Sequence, residues 1–391
     1  MIVSLRKAGG LSKNFIGGKA YYNYIMQKHN INIVDGVIVY GNLDESDLMM
    51  LDNYTKSDKL YCVRSSMGDE DGINKSQAGK YTSYLAITKA ELKDTIKCVL
   101  ELSDSKHKAV LVQPLIFSEV SGVLFTKCPV TGANKMIINA CLGTGENVVS
   151  GTMEPDEYEV DYLNKKIINK SVAMRSYTFA YGKNEVPGTN LIYNNHRLRV
   201  VISNQYKLIL SVHFEDRNKP ILTDEQIWQL TEVSANIREI MKCEQDIEFA
   251  IYHNEIYILQ ARPITVINNL DKKDLTKTNS EKQFTGQRCS LGIFTGRSLI
   301  LDSENASKLN DKFVLITDEL LPKYLYSYEN MGAIITTKAG VLSHAAIVAR
   351  ELGIPCVVGL DGDILKITDG SLVRVDAYNG RVEVIDEITG T

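Results

Sequence analysis

Residues 266–284, VINNLDKKDLTKTNSEKQF, form a polar run without a sustained hydrophobic period. No single core can run through such a segment, so the sequence predicts a linker at 266–284 between a region at 1–265 and a shorter one at 285–391. In the first region strand-like and helix-like stretches alternate. INIVDGVIVY (31–40), AVLVQPLI (109–116), SGVLFTKCPV (121–130) and MIINACL (136–142) are rich in β-formers. DEQIWQLTEVSANIREIMK (224–242) places Ile227, Leu230, Val233, Ile237 and Ile240 near helical spacing. EFAIYHNEIYILQARPI (248–264) reads as a hairpin turning at Tyr252-His253-Asn254-Glu255. In the second region, strands in SLGIFTGRSLIL and DGSLVRVDAYNGRVEVID flank a central strand, AIITT (333–337). That strand leads into the helix SHAAIVAREL, which Gly353 and Pro355 end. The expected fold class is α/β (α+β): a larger mixed domain followed by a small α/β module.

Bulk properties narrow the function. A net charge of -4 argues against a broad nucleic-acid face. Cys62, Cys98, Cys128, Cys141, Cys243, Cys289 and Cys356 are scattered and never spaced as CxxC, which predicts reduced thiols rather than disulfides or structural zinc. The opening MIVSLRKAGGLSKNF lacks a signal-peptide pattern, and no apolar run approaches the ~18 residues of a membrane span. The expected location is the cytoplasm, with no membrane partner.

The strongest chemical signal is TTKAGVLSHAAIVARELGIPCVVG (336–359). It places His344 just after a glycine turn, in the first turn of the predicted helix, with Ser343 as N-cap. Helix-start N–H groups favour a negative group there. A neutral imidazole nitrogen is a competent nucleophile. A Ser-His pair alone more often simply starts a helix; the surrounding run is what raises the signal. His29, His107, His196, His213 and His253 have no such setting and read as surface or structural residues.

Four earlier blocks suit a polyphosphate. In IGGKA (16–20) two glycines allow close backbone approach, and Lys19 reaches for phosphate oxygens. VRSSMGDEDGINKSQAGKYTS (63–83) contains Arg64, whose planar fork matches phosphate. SEVSGVLFTKCPVTG (118–132) leads into INACLGTGENVVSGTMEPDEY (138–158), with Asn139 and the loop Gly143-Thr144-Gly145-Glu146. In QDIEFAIYHNEIYILQARPIT (245–265), strand alternation lets Glu248 and Gln260 face one site from opposed strands. Oxygen ligands of that kind suit Mg²⁺.

These motifs closely resemble the phosphoenolpyruvate synthase, pyruvate phosphate dikinase and rifampin phosphotransferase family. The second module resembles its phosphohistidine domain through Thr336, Gly340, SHAAIVARE (343–351), GIP (353–355) and VVG (357–359), with Ala339 replacing the first glycine of the family's pair. The first region resembles its ATP-grasp domain, with Asn139 in place of a Glu and Phe249 in place of a Trp. The shorter spans around Lys19, Val63 and Ala78 suggest a pared-down version.

The resemblance implies an ATP-dependent phosphotransferase of dikinase type. Lys19, Arg64 and Arg262 bind phosphates, Glu248 and Gln260 hold Mg²⁺, and His344 attacks the β-phosphoryl of ATP so that AMP leaves. The linker then lets the phosphohistidine domain swivel to a second site. No counterpart of the family's pyruvate-binding barrel is found in the sequence. Three readings of the acceptor stay open: a small molecule held by this chain, a partner protein carrying the acceptor site, or glutamine, whose amide one branch of the wider family phosphorylates. A non-catalytic nucleotide sensor is the competing function.

Overall fold

A computed structural model describes residues 1–41, 45–67, 83–102, 107–129, 132–149, 153–264, 282–300, 312–318, 320, 330–337 and 344–386. Most of the predicted linker, most of the block following Arg64, and Ala339, Gly340 and Ser343 lie outside them. The chain forms two compact units, the first drawn from Met1–Pro129, Ala133–Val148 and Pro155–Thr265, the second mainly from Val266–Thr391. The secondary structure is mixed α/β, as expected.

The first unit holds three sheets. One runs in the order Ile2–Ser4, Val37–Tyr40, Lys108–Pro114, Leu60–Met67, Ser83–Thr88, antiparallel throughout. Alternation gives it two apolar faces. Val39, Val63, Val110 and Val112 pack on the helix Leu92–Glu101 through Leu92, Ile96 and Val99, one face of that helix. Ile38, Ala109 and Leu111 share a core with Ile16, Ala20 and Met26 of the helix Lys13–Lys28. Of the β-rich stretch at 31–40, only Val37–Tyr40 is strand, with Gly36 preceding it. A Cβ on Gly36 would stand 2.3 Å from the Val112 carbonyl oxygen, so only glycine lets the chain cross there.

The second sheet is a six-stranded antiparallel array in the order Glu255–Pro263, Gln245–Tyr252, Val120–Phe125, Met136–Leu142, Asp156–Asp161, Lys166–Ser171. Its core face carries Ile247, Leu124, Ile138 and Tyr158, which join Ile227, Leu230 and Ile237 of the helix Asp224–Met241 in one cluster. Thr223 and Gln226 close that helix's N-terminus in a capping box. The first two strands form the predicted hairpin. His253 (φ 50) and Asn254 (φ 63) make its two-residue turn, the primed geometry that matches strand twist.

A third sheet runs in the order Tyr177–Tyr181, Lys207–Val212, His196–Asn204, Asn190–Tyr193, and Asp156 of the second sheet holds the segments on either side of it. That buried carboxylate accepts from the Ala173 and Ile221 amides and from the Arg175 guanidinium and Tyr158 hydroxyl.

The second unit is an eight-stranded sheet in the order Lys282–Thr285, Arg381–Asp386, Leu372–Asp376, Ile293–Ile300, Phe313–Thr317, Met331–Thr336, Cys356–Val358, Gln287–Ser290. Residues 282–284, expected in the linker, are strand and pair with Val382–Val384. Pairing is parallel from Ile293–Ile300 through Cys356–Val358 and antiparallel elsewhere. One face of the parallel part, with Leu315 and Ile334, packs on the helix His344–Leu352. The other, with Ile316 and Ile335, packs on Val373, Val375, Val382 and Val384. Among the described residues, no helix is long and apolar enough to cross a membrane.

Candidate functional site

In the first unit the chemistry gathers where the five-stranded sheet meets the hairpin of the six-stranded one. Arg64 lies on Leu60–Met67 with its side chain 11% exposed. Its Nη1 donates to the Leu259 carbonyl at 3.0 Å. Its Nη2 donates to Gln260 Oε1 at 2.5 Å and to Glu248 Oε2 at 3.1 Å. Glu248 and Gln260 are cross-strand partners, so the expected shared face is present. Lys19 follows a break in its helix at Gly17 (φ 76, ψ 165), and its Nζ is 3.5 Å from Ser65 Oγ. Arg262 lies two pairs further along the hairpin, opposite Asp246, whose carboxylate its Nε meets at 2.8 Å.

Asp246 is not among the oxygen ligands named from the sequence, which are Glu248 and Gln260. Its signal was available: two residues before Glu248 on a strand, it must present to the same face. Asp246, Glu248 and Gln260 together offer oxygens on adjacent strands. No group of three or more His, Cys, Asp or Glu gathers into a closed metal cage among the described residues. Mg²⁺ fits such a site, because it retains waters and takes only one or two carboxylates beside substrate phosphates.

The polar face continues beyond the hairpin. Gln260, Glu248, Val123, Asn139 and Glu157 stand opposite one another on successive strands and so share one side of the sheet. Asn139 is buried, and its Nδ2 has no hydrogen-bond partner among the described residues. Burial, with Glu159 adding to it, holds the Glu157 carboxyl above the usual carboxylate range. Cys62, two residues before Arg64, is half-buried, and burial pushes its thiol up to about 11 against the opposing charge of Arg64. The loop Gly143-Thr144-Gly145-Glu146 is held by Asn147, which donates to the Leu142 and Phe179 carbonyls. Tyr181 Oη donates to Glu146 Oε2 at 3.0 Å.

His344 belongs to the second unit and is the first residue of His344–Leu352. Ala345, Ala346, Val348 and Ala349 bury one side of that helix. Gly353 (φ 66) ends it in the left-handed conformation, with the Ile354 amide donating back to Ala349. Arg350 Nη1 donates to the Cys289 carbonyl at 3.2 Å, tying the helix to Gln287–Ser290.

Residues 101–283 match the family model of the pyruvate phosphate dikinase AMP/ATP-binding domain, and residues 309–380 match that of the PEP-utilising enzyme mobile domain. Phosphoenolpyruvate synthase of Pyrococcus furiosus is 33% identical over 347 residues, covering 82% of this chain and 40% of its own length. A probable phosphoenolpyruvate synthase of Pyrococcus horikoshii is 33% identical over 348 residues, covering 83% of this chain and 41% of its own. One of Archaeoglobus fulgidus is 31% identical over 353 residues, covering 83% and 44%. The chain thus spans less than half the length of these relatives. Glu248, Gln260 and Arg262 fall within the first match and His344 within the second.

Proposed function

The chain belongs to the phosphoenolpyruvate synthase and pyruvate phosphate dikinase family, and from that premise we propose that it moves a phosphoryl group from ATP to His344. The observation that carries the reading is the meeting of Arg64 with Glu248 and Gln260, which brings a phosphate-binding fork and oxygen ligands from two sheets to one point. Lys19, Arg64 and Arg262 offset charge on the transferring oxygens, the main demand of this chemistry. Glu248 and Gln260, with Asp246 beside them, are the residues that would hold Mg²⁺, which would supply further charge neutralisation at the phosphates.

An imidazole nitrogen of His344 attacks the β-phosphorus. The bond from that phosphorus to the oxygen bridging the α-phosphate breaks, and AMP leaves with the electron pair. Water takes the γ-phosphoryl group as inorganic phosphate, leaving one phosphoryl on His344. The acceptor is a small molecule, bound by this chain or by a partner protein. The names of the relatives put pyruvate first among candidates to test, and the amide of glutamine second.

The test is incubation with ATP labelled separately at the β and γ phosphates. Acid-labile β-label on the protein, with release of AMP and its loss in His344→Ala, is expected. ATP binding with no labelled protein and no AMP under any acceptor condition would support a nucleotide sensor instead.

A further inference from the structure

The helix Lys13–Lys28 is interrupted where the Gly17-Gly18-Lys19 loop passes the strand Leu60–Met67. In an unbroken helix the Ala20 amide would donate to the Ile16 carbonyl, four residues back. Here Ser66 takes both places. Its hydroxyl donates to the Ile16 carbonyl at 2.6 Å and accepts from the Ala20 amide at 3.0 Å. Ser66 is fully buried, so both backbone groups are satisfied by it rather than by solvent. The loop is also pressed onto the same strand: a Cβ on Gly17 would lie 2.2 Å from the Ser66 carbonyl carbon and 2.4 Å from its oxygen. Asn23 Nδ2 then fastens the next turn by donating to the Lys19 carbonyl at 2.8 Å.

We infer that Ser66 is a positioning residue for phosphate binding: its hydroxyl is spliced into the Ile16–Ala20 gap and fixes the Gly17–Lys19 loop in the register that presents Lys19 alongside Arg64. Arg64 and Ser66 are two residues apart on one strand and share its face. One strand therefore sets both cations, Arg64 by carrying it and Lys19 by gripping its helix. Without the hydroxyl, the Ala20 amide and Ile16 carbonyl pair with each other, the loop rewinds toward regular helix, and Lys19 turns away. The inference rests on the nucleotide-binding reading above, and it concerns the polyphosphate rather than the base.

The test is a double-mutant cycle between Ser66→Ala and Lys19→Ala in the full chain, read by calorimetric binding of ATP and of AMP. Ser66→Ala is expected to weaken ATP binding at least tenfold and AMP binding less than threefold. In the Lys19→Ala background the same change is expected to have little further effect on ATP. Equal loss for ATP and AMP, or effects of the two substitutions that simply multiply, overturns the positioning role. Should Ser66→Ala not fold, Ser66→Cys retains a weaker donor and acceptor at the γ position. It is then expected to show the same selective loss, and unchanged ATP selectivity overturns the inference. Wild-type protein that binds no ATP at all sinks the nucleotide-binding reading itself, a result distinct from these.

Discussion

Arg64 and Gln260 meet 196 positions apart in the sequence, with Nη2 of one donating to Oε1 of the other at 2.5 Å. The same nitrogen reaches Glu248, and Nη1 reaches the Leu259 carbonyl. Only a planar fork satisfies three acceptors in these directions at once. Arg64→Lys keeps the charge but has a single ammonium. It is expected to weaken ATP binding by about 10- to 100-fold, in line with ~1.5–3 kcal/mol for hydrogen bonds to charged groups. Calorimetric titration of ATP into the variant checks this, and wild-type affinity would remove the fork from the binding account.

Gly17 offers a sharper steric forecast. Its φ of 76° is one that side chains rarely adopt, and an added Cβ meets backbone, not a flexible side chain. Gly17→Ala is expected to destabilise the first unit by about 2 kcal/mol or more, combining backbone strain with a contact that cannot relax cheaply. Gly10→Ala, where nothing lies within 4 Å of the added carbon, is the control and is expected to change little. Thermal denaturation of both variants separates them, and equal melting temperatures would contradict the geometry.

Much of this site could be read from the chain because its parts are local. The hairpin at 245–263 announces itself by alternation and by a two-residue turn, but regular pairing from that turn would set Glu248 opposite Leu259, and the register shift between Glu248 and Phe249 is what brings it opposite Gln260. The helix Asp224–Met241 follows from its apolar spacing. Other features depend on contacts that no local pattern encodes. The Arg64 fork and the Ser66 hydroxyl bring together segments 46 to 196 residues apart. Arg262 reads as a phosphate ligand, yet its ion pair with Asp246 becomes visible only once the strands are in register. The sheet formed by residues 177–212 exposes Tyr177, Ile192, Val201 and Ile202, and apolar residues on the solvent face blur the alternation that would have marked its strands.

Asp156 and Arg175 are both buried, at 0% and 4% side-chain exposure, and join the second sheet to the segment that leads into the third. Removing one member strands the other charge in a low-dielectric setting, which typically costs about 3–5 kcal/mol. Arg175→Met is expected to lower the urea midpoint accordingly, followed through Trp228, the chain's single tryptophan, which packs against this unit's core. Adding Asp156→Asn to Arg175→Met is expected to recover part of the loss, because the amide carries no charge to strand. A double variant less stable than the single one would show that the carboxylate's bonds to the Ala173 and Ile221 amides outweigh the ion pair.

Cys62 supplies a chemical probe of the strand that carries Arg64. Its thiol is raised from 9.0 to about 11, chiefly by burial, so at pH 8 its thiolate fraction is about 100-fold below that of an ordinary cysteine. Iodoacetamide at pH 8 is therefore expected to modify the exposed Cys98 and Cys243 first and Cys62 far more slowly. Because the group is raised, its reactivity should climb roughly tenfold per pH unit until the medium passes its titration point. Cys62 shares the strand face of Arg64, so a nucleotide held by that guanidinium also covers the thiol. Saturating ATP is expected to suppress modification of Cys62 while leaving Cys98 and Cys243 unaffected, as read by peptide mass spectrometry. Equal rates at Cys62 with and without ATP would mean that the nucleotide does not lie against this strand, and the assignment of Arg64 to the phosphates would fall with it.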